Sequence, residues 1–307
     1  MSSPAPDRVS GSGLAFAIGS YFLWGFLPVL FYLLRSASAV EVVSWRIVLA
    51  LLFCAVLLTV MRGWGRLVAL LRDRRAVLTL ALAAVLIVVN WLVYVYASAN
   101  GHVVEASLGY FTNPIVTVLL GVVLLRESLR PAQWVAVGVS AIAVLVIAIG
   151  YGSFPWIALT LAASFGLYGL VKKRVGPAAD AVSGLTVETA VLTPVAAVAL
   201  VVLGSTVGLS VAGAGPVHLL LILSLGFATA TPLILFAAAA RRIPLVYLGL
   251  VQYLTPIMQL VIGVLFLHEQ MPPERWLGFG IVWIALVILT VDMFVHQRRG
   301  QGATSAP

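Results

Sequence analysis

The sequence predicts an all-α integral membrane protein: ten transmembrane helices arranged as two inverted five-helix repeats, with both termini cytoplasmic. Three observations carry that prediction. The 307 residues are 62% hydrophobic and only 9% charged, whereas a soluble domain carries roughly 25% charged residues. Ten apolar runs are each about twenty residues long, the length that crosses a hydrocarbon core of ~30 Å. The basic residues fall almost entirely on one side of the alternation that those runs impose.

The runs occupy residues 13–34, 41–61, 77–98, 104–125, 131–149, 153–173, 184–204, 216–239, 244–267 and 274–295. Residues 1–12 and 296–307 are left as cytoplasmic tails. The first run has no small-residue cleavage site, so it reads as a retained helix rather than a signal peptide. Connections are short, which favours antiparallel neighbours. The tightest is Asn100-Gly101-His102, and the most charged runs from Arg126 to Arg130. With the N-terminus inside, fifteen of the eighteen Lys and Arg residues fall in cytoplasmic segments. Arg35 and Arg275 fall outside, and Arg46 lies within a helix. Such an asymmetry needs an even number of spans. The net charge of +8 therefore reads as topology and contact with anionic head groups, not as nucleic-acid binding. Cys54 is the one cysteine and sits in an apolar run, so no intrachain disulfide is available.

The halves repeat. Residues 113–147 align with 255–289 at a constant offset of 142, with eleven identities in 35 positions. Pro114, Glu127, Pro131, Trp134 and Gly138 match Pro256, Glu269, Pro273, Trp276 and Gly280. The offset spans five helices, an odd number, so the second copy (153–295) must enter the membrane from the side opposite to the first (13–149). Secondary transporters use this arrangement repeatedly; a channel or a fused scaffold is also compatible with it.

Ionisable groups inside a membrane cost roughly 2.5–3.5 kcal/mol each on insertion scales, so each needs a role. Arg46 and Glu188 are equivalent positions of the two repeats with opposite charge. They either face a central cavity and contact substrate, or snorkel to the interface. Glu105, at the start of its helix, either compensates the helix dipole or serves with Glu188 as a proton-coupling site. Asn90, Trp91 and Tyr94 share one helix face. Tyr110, Asn113 and Pro114 have Gln252, Tyr253 and Pro256 as their counterparts in the second repeat. Each proline removes a backbone hydrogen bond and frees a carbonyl four residues earlier, at Tyr110 and Gln252, acceptable only if it faces protein or water. Trp24 and Tyr168 complete the set of cavity candidates. Gly121, Gly138, Gly263, Gly278 and Gly280 read as helix-packing positions. Glu127 and Glu269 read as structural, capping the following helix or pairing with arginine. The histidines have no metal-ligand spacing, and no Walker sequence or nucleophile elbow is present. No cofactor, metal or enzymatic activity is expected. The expected partners are a small-molecule substrate and the lipid bilayer. A lipid-processing membrane enzyme and a channel or scaffold subunit are the competing readings.

Several runs resemble a known family. Tyr21-Phe-Leu-Trp-Gly-Phe-Leu-Pro28, Asn90-Trp91, Glu105-Ala-Ser-Leu-Gly-Tyr-Phe-Thr-Asn-Pro114, Phe165-Gly-Leu-Tyr-Gly-Leu-Val-Lys-Lys173, Val187-Glu-Thr189 and Gln252-Tyr253 with Thr255-Pro256 are similar to the RarD group of EamA-type transporters, in the drug/metabolite transporter superfamily. The similarity runs from about residue 13 to 299. It implies a ten-helix bacterial inner-membrane permease, with export as the usual direction. One departure is His268-Glu269, where the family often has a Gly-Glu pair.

Overall fold

A computed structural model describes residues 10–125, 131–151, 154–175, 179–213, 215–240, 242–243 and 251–303, and all regular structure among them is helical. The helices are α1 (Gly11–Leu33), α2 (Ala39–Val60), α3 (Trp64–Arg72), α4 (Arg74–Ala99), α5 (Val103–Leu125), α6 (Pro131–Tyr151), α7 (Trp156–Val175), α8 (Ala181–Thr206), α9 (Gly215–Ala240), α10 (Leu254–Val261) and α11 (Pro273–Ala303). A 3-10 turn (Ser210–Ala212) precedes α9, and a π-helical turn (Ile262–Phe266) continues α10. Each predicted range falls on a helix, although 244–267 is described only from residue 251 onward.

Local chemistry sets the helix starts. Ser38 Oγ accepts the Glu41 amide at the head of α2 (3.1 Å). Asp73 Oδ1 accepts the Arg75 and Ala76 amides at the head of α4 (2.9 and 3.1 Å). Asp180 Oδ1 accepts Val182 and Ser183 at the head of α8 (both 3.1 Å). These caps satisfy donors that have no partner inside the helix. Ser38 and Asp180 are themselves 142 residues apart.

Among the described residues six helices are long and apolar enough to cross a membrane: α1, α2, α4, α8, and much of α9 and α11. Their outer faces expose Leu78, Val85, Val195, Val198 and Val201, as lipid contact requires. The chain is a multi-pass membrane protein. One element corrects the sequence reading, which leaves the basic stretch after α2 as a connection. The structure places the nine-residue α3 there. At ~1.5 Å per residue it is far too short to span. Leu67 and Leu70 are buried, while Trp64, Arg66 and Arg72 are exposed, the pattern of a helix lying in the interface. Arg66 reaches Asp180 at 3.7 Å and so ties α3 to the head of α8.

The main packing pairs are α1 with α9, α4 with α7, α5 with α7, α1 with α10, α2 with α9, α4 with α8, α2 with α8, α6 with α11 and α5 with α10. Lipid is as apolar as leucine, so these contacts rest on close packing and hydrogen bonds rather than on expulsion of water. Two crossings bring backbones together. A Cβ on Gly109 of α5 would lie 2.7 Å from the Ala158 carbonyl oxygen of α7, and one on Gly226 of α9 would lie 2.6 Å from that of Leu49 in α2. A Cβ on Gly263 would lie 2.9 Å from Val104 Cγ2, as at a packing position. Gly138 and Gly280 do not serve that way: among the described residues a Cβ on either meets nothing within 4 Å.

Carboxylates tie helix ends across the fold. Glu269 accepts the Val103 and Val104 amides at the head of α5 (2.6 and 2.9 Å). It therefore caps α5, far away in the chain, not the helix that follows it. Glu127 lies outside the described residues. Glu41 accepts both the amide and the hydroxyl of Ser210 (2.9 and 2.8 Å), and Ser210 Oγ also meets His218 Nε2 at 2.8 Å. Pro114 lies inside α5, but Pro256 sits in the first turn of α10, after a break at Gln252–Tyr253. There its missing N–H costs nothing, and the Gln252 carbonyl accepts the Thr255 amide at 3.2 Å instead of standing free.

Candidate functional site

Arg46, on α2, is 4% exposed. Its Nε donates to Thr229 Oγ1 of α9 at 2.8 Å, and its guanidinium lies 4.2 Å from the Trp91 ring centre and 5.6 Å from that of Phe31. The charge therefore does not snorkel; it is held inside the bundle by a hydroxyl and two aromatic faces. Its Nη1 is buried without a hydrogen-bond partner.

Asn90, on α4, binds three neighbours. Its Nδ2 donates to the Leu161 carbonyl and to Ser164 Oγ of α7 (both 3.1 Å). Its Oδ1 accepts from the Tyr110 hydroxyl of α5 at 3.1 Å. Tyr94 is one turn further along α4, and its hydroxyl accepts from Gln259 Nε2 of α10 at 2.8 Å. Tyr94 packs edge-on against Phe31 (5.8 Å) and Tyr110 (5.5 Å). Tyr110 packs on Phe165 (6.0 Å), and Phe165 on Tyr168 (6.0 Å). Tyr168 donates to Glu188 Oε2 at 3.2 Å, and Lys172 pairs with Glu188 Oε1 at 2.6 Å. A continuous file of rings, Phe31-Tyr94-Tyr110-Phe165-Tyr168, thus joins the Arg46 cation to the Glu188 anion.

Helix α7 organises this set. Its first-turn amide at Ile157 donates to Glu105 Oε1 at 3.1 Å. Leu161 and Ser164 meet Asn90, and Tyr168 and Lys172 meet Glu188. Three polar stations therefore line one helix. The first and last are about 20 Å apart at ~1.5 Å per residue. Glu105 acts at the head of α7, not only on its own helix. Asn113 faces Gly166 of α7.

Other candidates lie apart. Trp24 packs with Tyr21 and Phe236 (5.6 and 6.0 Å) between α1 and α9. Gln252 is half-buried at the break before α10. Tyr253 lines an open groove of about 790 Å³ with Phe111, Trp276 and Trp283, almost wholly apolar. Thr229, Gln259 and Lys172 belong to the site although the sequence did not single them out. Gln259, polar in an apolar run and 1% exposed, carried the clearest signal. Among the described residues no cluster of acidic, histidine or cysteine side chains fits a metal ion.

Comparison with known proteins places this arrangement. Residues 11–149 match the EamA-like transporter family. Protein RarD of Streptomyces exfoliatus is 47% identical over 295 residues, covering 96% of this chain and 93% of the relative. The chain belongs to the RarD group of EamA-like transporters. A second RarD-group relative, Protein RarD of Escherichia coli (strain K12), is 39% identical over 288 residues, covering 94% and 96% of the two chains. The uncharacterized transporter YojE of Bacillus subtilis (strain 168) is 40% identical over 291 residues, covering 93% and 96%. The fold is also similar to one crystal structure at a TM-score of 0.60 and 16% identity, covering 91% of this chain and 98% of that one. The polar column along α7 is thus set within a RarD-group membrane transporter.

Proposed function

We propose that this protein is a secondary carrier of the bacterial inner membrane that exports a small, partly apolar metabolite or drug by alternating access. In this reading two inverted five-helix halves, 13–149 and 153–295, rock about a site between them, and both termini are cytoplasmic. The observation that carries the proposal is the run of polar stations along α7, joined by aromatic rings to a buried arginine. Buried polar groups in a membrane protein mark a route for polar cargo.

The packing scheme supports the repeat. Exchanging each helix with its five-helix counterpart turns α1 with α9 into α7 with α4, and α5 with α7 into α10 with α1. It turns α2 with α9 into α8 with α4, and leaves α2 with α8, α6 with α11 and α5 with α10 unchanged. Detail follows the same rule. Ser20 donates to the Pro232 carbonyl at 2.7 Å, joining α1 to α9, and Ser164, its counterpart at offset 144, meets Asn90, joining α7 to α4.

Glu188 and Glu105, at opposite ends of α7, are the proposed proton-coupling groups. The test is flux in proteoliposomes. A carrier shows saturable counterflow, accelerated by unlabelled substrate on the far side, and a pH gradient changes its rate. Non-saturable flux identifies a channel, and flux indifferent to the gradient removes proton coupling. The cargo comes from a metabolite screen of cells lacking or overproducing the protein. Reporter fusions at each terminus test the topology: green fluorescent protein should fluoresce and alkaline phosphatase should stay inactive at both.

A further inference from the structure

Arg46 is the odd member of the buried polar set. Glu188 has Lys172, and Asn90 has three partners, but among the described residues Arg46 faces only one hydroxyl and two aromatic rings. Among the described residues no carboxylate forms an ion pair with it. The nearest acidic residue on its own helix, Glu41, is occupied by Ser210. Cation–π contact and a neutral hydroxyl leave a whole positive charge uncompensated in a low-dielectric interior, where an ion without a counter-ion is costly. Nη1 is a buried donor that nothing among the described residues receives. One turn beyond Trp91, Tyr94 holds Gln259, and one end of the Gln259 amide is also buried without a partner. Among the described residues a donor, Arg46 Nη1, and an acceptor, Gln259 Oε1, are therefore both left without a partner.

We infer that Arg46 Nη1 binds the carboxylate of a monoanionic substrate whose planar apolar body packs on Trp91, Tyr94 and Tyr110, with Gln259 meeting a polar group further along it. This rests on the carrier reading and names the substrate class. A single guanidinium neutralises one negative charge. A dianionic phosphate would leave a net charge buried, so a carboxylate fits better. Planarity follows from the rings, which offer flat faces and edges rather than a round apolar bowl. The guanidinium fork matches a carboxylate in shape as well as charge, which lysine does not.

The experiment is thermal unfolding of the detergent-purified full chain, with benzoate, phenylacetate and indole-3-acetate, the primary amide of each, and phenyl phosphate. At least one carboxylate should raise the melting temperature in a saturable way. Its amide should bind at least tenfold more weakly, and phenyl phosphate should bind more weakly than the best carboxylate. In Arg46→Gln the carboxylate shift should vanish, and in Arg46→Lys it should weaken. If Arg46→Gln does not fold, Thr229→Val, which keeps the charge but frees its anchor, should weaken carboxylate binding and spare the amide. The inference is overturned if no carboxylate in the panel stabilises the protein, if an amide binds as tightly, or if Arg46→Gln keeps the shift. The two proposals fail separately. Carboxylate binding without counterflow sinks the carrier and spares the anion site, whereas saturable counterflow of neutral cargo alone does the reverse.

Discussion

Lys172 and Glu188 meet at 2.6 Å with unequal exposure: the lysine side chain is 31% exposed and the glutamate 1%. That inequality decides how the pair fails. Removing the lysine strands a carboxylate in the interior, whereas removing the glutamate leaves an ammonium that can turn toward solvent. Lys172→Met should therefore destabilise the protein by roughly 1–3 kcal/mol, below the value for a fully buried pair because one partner is partly solvated. Glu188→Gln should cost less, and Lys172→Met combined with Glu188→Gln should recover much of the loss. Thermal unfolding in detergent measures all three, and a double variant worse than Lys172→Met would contradict the account. At this scale the sequence was informative about cost but silent about partners. Arg46 and Glu188 stood out because charge in an apolar run must be explained. Thr229 and Ser164 did not, because a hydroxyl in a membrane helix usually bonds back to its own turn, as Thr229 also does to Leu225 at 2.7 Å. Lys172 was hidden among the basic residues that set topology.

Helix ends carry the next level of control, through two carboxyls with opposite pH behaviour. Glu269 loses hydration where it caps α5, and burial raises its carboxyl above the ordinary value despite the Val103 and Val104 amides. A raised acid holds its proton longer in the folded state, so stability falls as pH climbs from about 4.3 through the folded value. At Asp180 burial pushes up, but hydrogen bonds from Ser183 and Val182 and the Arg66 charge bring the carboxyl below its usual value. Its contribution is present above about pH 3.9 and is lost as pH falls through the lowered value. Glu269→Gln should flatten the stability profile on the first interval. Asp180→Asn, still a good cap, should flatten the acid limb alone. Unfolding from pH 3 to 7 reads both; a variant that shifts the profile uniformly would refute its assignment. Glu269→Ala should cost ~1 kcal/mol and speed amide exchange at Val103 and Val104. Element positions were largely legible, since a twenty-residue apolar run has few alternatives. The helix α3 was not, because nine residues with two arginines read as a loop until its buried stripe is seen. The repeat also misled at Pro256: the counterpart of a proline inside α5 opens α10 instead, so equal sequence does not guarantee an equal kink.

At the scale of the whole molecule, a repeat between residues 113–147 and 255–289 is legible in the sequence, and the main helix pairs are those that exchanging the two proposed halves would give. Which glycines bring helices together was not legible, because an exposed glycine and a contact glycine look alike without their neighbours. Gly109→Ala and Gly226→Ala should each destabilise by about 1–3 kcal/mol, since a methyl there meets a carbonyl oxygen that cannot withdraw. Gly138→Ala and Gly280→Ala should be neutral or slightly stabilising. Equal melting temperatures across the four would contradict the geometry. The two tight crossings also limit motion. With backbone against backbone, α5 cannot slide along α7, nor α9 along α2, without a collision, yet rotation about each crossing moves little at the crossing itself. Sliding is thus opposed at both crossings, and a tilt about the Gly109–Ala158 and Gly226–Leu49 contacts is the motion they hinder least.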